Sequence, residues 1–380
     1  MRKVSLPMLA NRGYAPHSPE VLAKTFTPSG ERKYCTYPFR LIGIGSDYLK
    51  NCTWLKASSE CCIPLGKLIK ENEGYLSNAI KNAWTSDTFN DVRAAIADGS
   101  YLYCDMQNCP EYHGKQEFFF TLPELEEKYP QIASFVKGDT DKYDGFPETM
   151  NVAYDPRCNL SCPSCNRHIL PKFSEEIEKE FSAGIRLVGQ NIKNLFLVGM
   201  GDPFGTTHYL EFLRNLDPTD YPSLKEIIFN TNAMKLTPEI WYSIPEGVRK
   251  FVGTMVVSMD GASKTSFETN RFPAKWDDFL ERLKFISELR KTNQIKSVTL
   301  YYVYQLNNYK EMPRAVKIAK DHGIDCIFFA RIRDWGTLGE KKIRAVDVNR
   351  PDHPQNRVFE YIKQTIRATM TGTPEIVIME

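Results

Sequence analysis

The chain has 380 residues, of which 42% are hydrophobic and 25% charged, so it is an ordinary globular protein with room for two domains. A formal net charge of +2 excludes a global field that would attract nucleic acid or an anionic membrane. No apolar run approaches the about 20 residues that cross a bilayer, and the first residues lack the apolar core of a signal peptide, so we expect a cytoplasmic protein.

The first part of the chain is marked by its cysteines. Ten cysteines in a chain expected to be cytoplasmic favour metal or redox chemistry over a disulfide framework. Residues 1–34 are proline-rich with little periodicity, which predicts an irregular arm. Two short β-prone runs around a turn then predict a hairpin, with Cys35 at its entry and Cys52 at its exit.

A helix and a second pair of cysteines follow the predicted hairpin. Apolar residues near helical spacing predict a helix over 76–97, and Cys104 and Cys109 come shortly after it. A second predicted helix, over 122–135, belongs to a connector that continues into a polar, turn-rich stretch. We therefore place a domain boundary near residue 145.

From Met150 onward, strand-like and helix-like runs alternate, which predicts a parallel α/β sheet in a domain of residues 146–380. The segment 35–145 then forms the first domain with its connector. Strands are predicted at 149–155, 194–199, 226–231, 253–259, 296–304 and 325–331, and helices at 174–188, 207–215, 237–244, 275–291, 309–322 and 355–369.

The loop after the first of these strands places Cys158, Cys162 and Cys165 in a C-x3-C-x2-C spacing. Three thiolates in one short loop lack the fourth ligand of a tetrahedral mononuclear site. They suit a cubane iron–sulfur cluster with one iron left open for a substrate or cofactor. A zinc knuckle short of one ligand and a set of free thiols are the alternatives.

This loop, in this position after a strand, resembles the defining motif of the radical S-adenosylmethionine (SAM) enzymes. The resemblance implies a partial (β/α)6 TIM-like barrel and a [4Fe–4S] cluster that binds SAM. It also implies reductive cleavage of SAM to a 5′-deoxyadenosyl radical, which takes a hydrogen atom from the substrate. Six strand–helix units agree with such an open barrel, whose active site lies at the C-terminal ends of the strands.

The segment of residues 33–112 resembles the SPASM or twitch extension of the same family, here placed before the barrel. In that extension a hairpin with two cysteines, a helix and a C-x4-C pair hold an auxiliary [4Fe–4S] cluster. A four-cysteine zinc site is the alternative. Cys61 and Cys62 have no counterpart and are expected to be packed thiols. The ligands that the resemblance implies are Cys35, Cys52, Cys104 and Cys109.

Several strand ends carry residues that the resemblance assigns to SAM. Asp202 would accept hydrogen bonds from the SAM ammonium, and Arg271 would pair with the SAM carboxylate through its forked guanidinium. Each position also has an ordinary structural interpretation, as a turn, a helix cap or a surface residue. The predicted cofactor-binding residues are Gly199, Gly201, Asp202, Asn232, Ser258, Asp260, Arg271 and Gln305.

Three residues of the sixth predicted strand are candidates for contact with the substrate. Arg331 and Arg333 would hold an anionic group such as a phosphate or carboxylate, or else form salt bridges at the rim. Cys326 would donate a hydrogen atom to a substrate radical, as in some radical SAM epimerases, although a buried structural thiol is the simpler interpretation.

The substrate class is predicted from local similarity. The segments Val303–Met312, Arg331–Thr337 and Pro351–Pro354 resemble a subgroup associated with carbohydrate or polysaccharide gene contexts, which favours epimerisation or oxidation of a carbohydrate or nucleotide-sugar type small molecule. A maturase that modifies a ribosomal peptide is the alternative, and a zinc-stabilised binding module without enzymatic activity is the second alternative. Both enzymatic hypotheses also imply a reducing partner such as flavodoxin or ferredoxin.

Overall fold

The structure is a computed structural model that describes residues 17–45, 48–56, 62–71, 76–106, 109–113, 116–165, 189–197 and 201–379. It divides into two compact units. Unit 1 takes the described residues up to Val152 together with 189–193 and 220–223, and unit 2 takes the others. Among the described residues, no helix is both long and apolar enough to cross a membrane.

Unit 1 combines short antiparallel strands with short helices. Strand β1 pairs with β5, and β2, β3 and β4 pair in succession. The strands are β1 (Lys33–Cys35), β2 (Leu41–Gly45), β3 (Tyr48–Lys50), β4 (Ile63–Pro64), β5 (Phe119–Thr121) and β6 (Thr149–Ala153), which ends at the unit boundary. The helices are α1 (Pro19–Leu22), α2 (Tyr37–Arg40), α3 (Leu65–Glu71), α4 (Leu76–Trp84), α5 (Asp87–Ala97), α6 (Pro110–His113), α7 (Leu122–Lys128) and α8 (Pro130–Lys137).

The predicted hairpin is confirmed, since β2 and β3 pair antiparallel with Ile44 opposite Leu49. The single helix predicted over 76–97 is wrong, because the structure has two helices there. The first ends at Trp84, and Ser86 caps the second by accepting a hydrogen bond from the Phe89 N–H. The helix predicted over 122–135 is likewise two helices, and Pro130 begins the second of them.

The core of unit 1 contains a buried arginine, Arg93, that has no carboxylate partner in the described residues. Its guanidinium donates to the carbonyls of Pro38 at 3.1 Å and Trp84 at 2.8 Å, and to Asn90 Oδ1 at 2.9 Å. The same group lies over the rings of Trp84 and Tyr143. Arg93 therefore joins α2, α4 and α5 through one side chain.

Unit 2 contains a parallel sheet of six strands in sequence order, which confirms the predicted mixed α/β class. The strands are β7 (Asn194–Leu197), β8 (Glu226–Thr231), β9 (Val252–Ser258), β10 (Ser297–Tyr304), β11 (Cys326–Arg331) and β12 (Glu375–Ile378). The helices are α9 (Thr207–Arg214), α10 (Pro238–Tyr242), α11 (Glu246–Arg249), α12 (Lys264–Asn270), α13 (Trp276–Lys291), α14 (Met312–Asp321), α15 (Gly339–Val346) and α16 (Asn356–Thr369).

Strand β10 of this sheet has one packed face and one partly open face. In β10, Val298, Leu300, Tyr302 and Tyr304 are buried, whereas the alternate residues are partly exposed. Side chains of a strand point alternately to its two faces, so the partly exposed set shares one face. Five predicted strands of this unit agree with the structure to within two residues, β12 was not predicted, and the helix predicted at 174–188 lies outside the described residues.

Candidate metal centre and cofactor site

The loop with the C-x3-C-x2-C spacing begins with a buried carboxylate that fixes its conformation. Asp155 Oδ1 accepts hydrogen bonds from the backbone N–H of Arg157 at 3.0 Å and from its Nε at 2.9 Å, and Oδ2 accepts from Nη2 at 2.8 Å. The Asp155 N–H donates to the hydroxyl of Tyr209. These hydrogen bonds therefore fix the conformation of the first turn of the loop, which precedes the first cysteine.

Gly201 lies against this loop with its backbone. Its φ is +82°, and a Cβ atom at this position would lie 2.3 Å from the carbonyl oxygen of Asp155 and 2.4 Å from that of Arg157. Only glycine fits such an approach. We predicted Gly201 as a cofactor-binding residue, whereas the structure brings its backbone against the cysteine loop. Gly199, predicted with it, lies outside the described residues.

The thiols of this loop receive hydrogen bonds from three groups. The Leu160 N–H donates to Cys158 Sγ at 3.4 Å, and the side-chain amide of Asn232 reaches the same sulfur at 3.5 Å. Arg271 Nη1 lies 3.9 Å from Cys162 Sγ. Burial, followed by the charge of Asp202, raises the pKa of Cys158 to about 11. Burial also raises the pKa of Cys162, and the Arg271 guanidinium opposes that rise.

These contacts fit a metal cluster bound through thiolates. N–H groups aimed at sulfur stabilise a thiolate ligand and compensate for its burial. Among the described residues, no three His, Cys, Asp or Glu side chains are arranged to hold a single metal ion. Cys158, Cys162 and Cys165 are the residues that would hold the predicted cubane.

Asp202 is buried and its carboxylate is fully occupied by protein donors. Oδ1 accepts from the N–H groups of Phe204 at 3.0 Å and Gly205 at 2.9 Å. Oδ2 accepts from the hydroxyl of Thr231 at 2.8 Å and the N–H of Asn232 at 2.7 Å. Burial raises the pKa of Asp202, and these four donors oppose the rise. The carboxylate thus ties the end of β8 to the loop after β7, rather than presenting free oxygens to a SAM ammonium.

Asn232 lies directly after β8 and spans from that strand end to the cysteine loop. Its Nδ2 donates to Asn159 Oδ1 at 3.0 Å as well as to Cys158. Its Oδ1 accepts from the Met234 N–H at 2.9 Å. The structure therefore places the predicted cofactor residue Asn232 within reach of the predicted metal ligands.

Asp260 and Arg271 form a buried ion pair beside Cys162. Arg271 Nε lies 2.8 Å from Asp260 Oδ2, and Asp260 Oδ1 accepts from the Val303 N–H at 2.8 Å. We predicted Asp260 as a cofactor-binding residue and Arg271 as a partner of the SAM carboxylate. The structure brings both residues to the cysteine loop but pairs them with each other.

Ser258 and Gln305 lie at the C-terminal ends of β9 and β10. Ser258 is opposite Tyr301 in the register of the two strands. Gln305 lines a cavity of about 230 Å³ next to the cysteine loop, together with Ser164. The other lining residues are Pro163, Thr269, Asn270, Leu306, Asn307, Leu338, Lys342 and Val346. The cavity combines apolar walls with a few polar groups, which is the usual composition of a small-molecule site.

The two predicted substrate arginines differ in their surroundings. Arg331 forms a forked ion pair with the buried carboxylate of Asp347, with Nε–Oδ2 and Nε–Oδ1 distances of 3.0 and 3.1 Å. It is therefore the rim salt bridge that we weighed against anion binding. Arg333 lies near the phenol of Tyr301, whose ring stacks on Phe328.

Cys326 does not lie with the other candidates. It is the first residue of β11, whereas Arg331 is the last. Five residues of strand separate the two ends by roughly 16 Å. Because the cysteine loop follows the C-terminal end of β6 and the other candidates follow C-terminal strand ends, Cys326 is placed at the opposite end of its strand.

The second group of predicted metal ligands converges in unit 1. One cavity is lined by all four cysteines, Cys35, Cys52, Cys104 and Cys109. Burial, and then the thiolates of Cys52, Cys109 and Cys104, raise the pKa of Cys35 well above its usual range. Three separate chain segments, around Cys35, Cys52 and the pair Cys104 and Cys109, thus bring their thiols to one cavity.

The space between these thiols is small. The cavity has a volume of about 20 Å³, which is room for about one water-sized group. The carboxyl of Glu111 also lines the cavity, and burial raises its pKa to about 7. Cys62 is half-buried near Lys50, and Cys61 lies outside the described residues.

Several residues that shape the site were not predicted. Asn159 and Thr231 hold the side chains of Asn232 and Asp202, and Asn270 and Asn308 both donate to the carbonyl of Asp260. All four are small polar residues: Asn159 follows Cys158, Thr231 ends a predicted strand, Asn308 comes shortly after another, and Asn270 precedes Arg271. For all but Asn270, the position beside a cysteine or a predicted strand end is the signal that would have identified them.

No protein-family model matches this sequence, and no curated protein matches it. Among solved structures, SuiB of Streptococcus suis bound to S-adenosylmethionine is 17% identical, with a TM-score of 0.48 over 70% of this chain and 57% of that one. SuiB bound to the precursor peptide SuiA is 18% identical, with a TM-score of 0.45 over 67% of this chain and 53% of that one.

A third solved structure, anSMEcpe with bound AdoMet and the Cp18Cys peptide, is 17% identical, with a TM-score of 0.37 over 59% of this chain and 60% of that one. This chain therefore spans little more than half the length of these proteins. These identities and TM-scores are too low to assign the chain to a family.

Proposed function

We propose that this protein is a radical SAM enzyme whose [4Fe–4S] cluster is held by Cys158, Cys162 and Cys165 in a partial barrel of the radical SAM type. The observation that carries the proposal is the pair of side-chain donors, Asn232 and Arg271, that come from two different strand–helix units and reach the sulfurs of Cys158 and Cys162. Free structural thiols have no need of such donors. A metal-bound thiolate does.

When bound in this loop, the cluster would supply the electron that cleaves SAM to methionine and a 5′-deoxyadenosyl radical, which abstracts a substrate hydrogen atom. The protein's own residues position the cysteine loop and the side chains beside it. Asp202 and Gly201 hold the cysteine loop against the ends of β7 and β8, and Asp260 holds Arg271 beside it. The cavity lined by Ser164 and Gln305 adjoins this loop and is our candidate for binding of the organic ligands.

We further propose that the four cysteines of unit 1 hold an auxiliary [4Fe–4S] cluster. Their convergence on one cavity supports a shared centre. With four cysteine ligands such a cluster has no open iron, so its role would be electron transfer rather than direct binding of substrate. Zinc at this centre is the competing assignment, and analysis of metal content decides between them.

Two substrate classes compete. The carbohydrate or nucleotide-sugar class comes from local sequence similarity alone. The peptide class has its counterpart among the solved structures named above, since SuiB was solved with a precursor peptide and anSMEcpe with the Cp18Cys peptide. We propose that both classes be tested, with flavodoxin or ferredoxin as the reducing partner.

The test is anaerobic reconstitution with iron and sulfide, followed by addition of SAM and a strong reductant. We expect about eight irons per chain and formation of 5′-deoxyadenosine. Replacing Cys158, Cys162 and Cys165 with alanine should abolish that product, while Cys104→Ala should retain SAM cleavage and lose turnover of substrate. Zinc at both sites, or no 5′-deoxyadenosine from an iron-loaded protein, would refute the proposed function. Deuterated sugars and peptides then identify the substrate by deuterium transfer.

A further inference from the structure

Two side chains from outside the cysteine loop contact the sulfurs of two predicted cluster ligands. Asn232 Nδ2 lies 3.5 Å from Cys158 Sγ, and Arg271 Nη1 lies 3.9 Å from Cys162 Sγ. One donor is a neutral amide and the other a cation. Both groups are mostly shielded from solvent, where electrostatic interactions are stronger than in water.

The amide of Asn232 can point only one way. Its Oδ1 accepts the backbone N–H of Met234 at 2.9 Å, so the NH₂ group must face the cysteine loop. There Nδ2 donates to both Asn159 Oδ1 and Cys158 Sγ. The backbone N–H of Asn232 is in turn held by Asp202. The donor to Cys158 is therefore fixed before any cluster binds.

The guanidinium of Arg271 is fixed in a comparable way. Asp260 Oδ2 lies 2.8 Å from its Nε, and the other oxygen of Asp260 is taken by the Val303 N–H. The carbonyl of Asp260 accepts from Asn270 Nδ2 at 2.6 Å and Asn308 Nδ2 at 3.0 Å. With its carboxylate partner immobilised, the guanidinium keeps one N–H group directed at Cys162.

We propose that Asn232 and Arg271 are positioning residues that set the reduction potential of the cluster by donating hydrogen bonds to the Cys158 and Cys162 thiolates. This inference rests on the proposed function, and it adds a role for two residues predicted to contact SAM. Reduction adds one electron from an external reductant and breaks no bond. Hydrogen bonds to sulfur and a nearby positive charge stabilise the more negative reduced state, so both residues raise the potential.

The test is a redox titration of the full-length, reconstituted protein under anaerobic conditions, with dithionite and mediator dyes, followed by electron paramagnetic resonance. The variants are Asn232→Ala and Arg271→Gln. We expect each to lower the equilibrium constant for reduction about tenfold, which is a shift of about 59 mV to more negative potential for a one-electron couple. Arg271→Lys keeps a positive charge without the fork and should recover part of the shift.

The matched control is Arg290→Gln, which breaks another ion pair of unit 2. Arg290 lies in α13 and is held, with an Nε–Oδ2 distance of 2.9 Å, by Asp325, which directly precedes β11 at the strand end opposite to Arg331. The reduction potential of the cluster in Arg290→Gln should equal that of the wild type. Where metal analysis finds iron at the auxiliary centre, its couple serves as an internal reference and should stay unchanged in all variants.

Paramagnetic resonance reports the clusters that are present, so a partly loaded variant still yields a potential. Unchanged potentials in both Asn232→Ala and Arg271→Gln would overturn the inference while leaving the proposed function intact. An equal shift in Arg290→Gln would also overturn it, because the effect would then be non-specific. A wild-type chain that takes up no cluster defeats the proposed function and this inference together.

Discussion

Replacing Asp202 with asparagine tests whether this carboxylate is structural. The side chain keeps its size, but one oxygen that accepts two hydrogen bonds becomes an NH₂ group that faces two donors. Two of the four bonds made by Phe204, Gly205, Thr231 and Asn232 are lost. A hydrogen bond to a charged group contributes about 1.5–3 kcal/mol, so the loss amounts to about 3–6 kcal/mol.

Part of this loss is offset, because asparagine removes a buried charge whose desolvation raises the pKa of Asp202. We therefore expect the free energy of unfolding of unit 2 to fall by about 3 kcal/mol, the lower end of that range. Denaturant unfolding of the metal-free protein, monitored by circular dichroism, measures it. Because Asp202 also holds the backbone of Asn232, we expect weaker uptake of iron by the cysteine loop as well.

The matched control for this experiment is Asp217→Asn. Asp217 is an exposed carboxylate of the same unit and accepts hydrogen bonds from the N–H and the hydroxyl of Thr219 at 2.9 and 2.8 Å. Its replacement should cost less than about 1 kcal/mol, as most exposed substitutions do. If Asp202→Asn costs no more than this control, the four contacts do not stabilise the protein as we argue, and a ligand-binding role for the carboxylate is favoured.

Three further changes test other contacts. Arg93→Met removes three hydrogen bonds from the core of unit 1 and should cost about 2–4 kcal/mol in denaturant unfolding, with no recovery in Arg93→Lys; a neutral result would contradict its role in joining three helices. Asp347→Asn should cost about 1–3 kcal/mol, and a double-mutant cycle with Arg331→Gln should show coupling; additive costs would mean that the ion pair contributes nothing. Ser86→Ala removes the cap of α5 and should cost about 1 kcal/mol, whereas Ser29→Ala, on an exposed turn, should cost far less; equal costs would exclude capping.

The strands of unit 2 were predictable because their pattern is local. In β10 every second residue is buried, which is the two-residue period of a strand with one packed face. The breaks in the predicted helices also have local signals in the sequence, namely Ser86 and Pro130. We missed these breaks because the helical spacing of apolar residues continues across them. β12 was missed because its four residues follow a long helix without any repeat of the alternating pattern.

The partners of the candidate site residues were not predictable from local pattern. Asp202 looked like a ligand-binding carboxylate because it follows a strand, but its oxygens are used by residues up to 30 positions later. Arg331 pairs with Asp347, 16 residues away, after an intervening loop and helix. Such pairings depend on which strand ends become neighbours in space, and a sequence shows the residue types without showing which of them meet.

The strand-end residues of the candidate site support the cysteine loop, and this role accounts for their positions. The loop is held at its start by the backbone next to Gly201, where the Asp202 N–H donates to the carbonyl of Arg157 at 3.2 Å. It is held in its middle by the Ser161 N–H, which donates to the carbonyl of Phe272 at 2.7 Å. Phe272 directly follows Arg271, so the backbone bond that fixes the middle of the loop also fixes the guanidinium at Cys162. Anchoring of the loop and placement of its charged donor are therefore one structural feature, and a change at either residue acts on both.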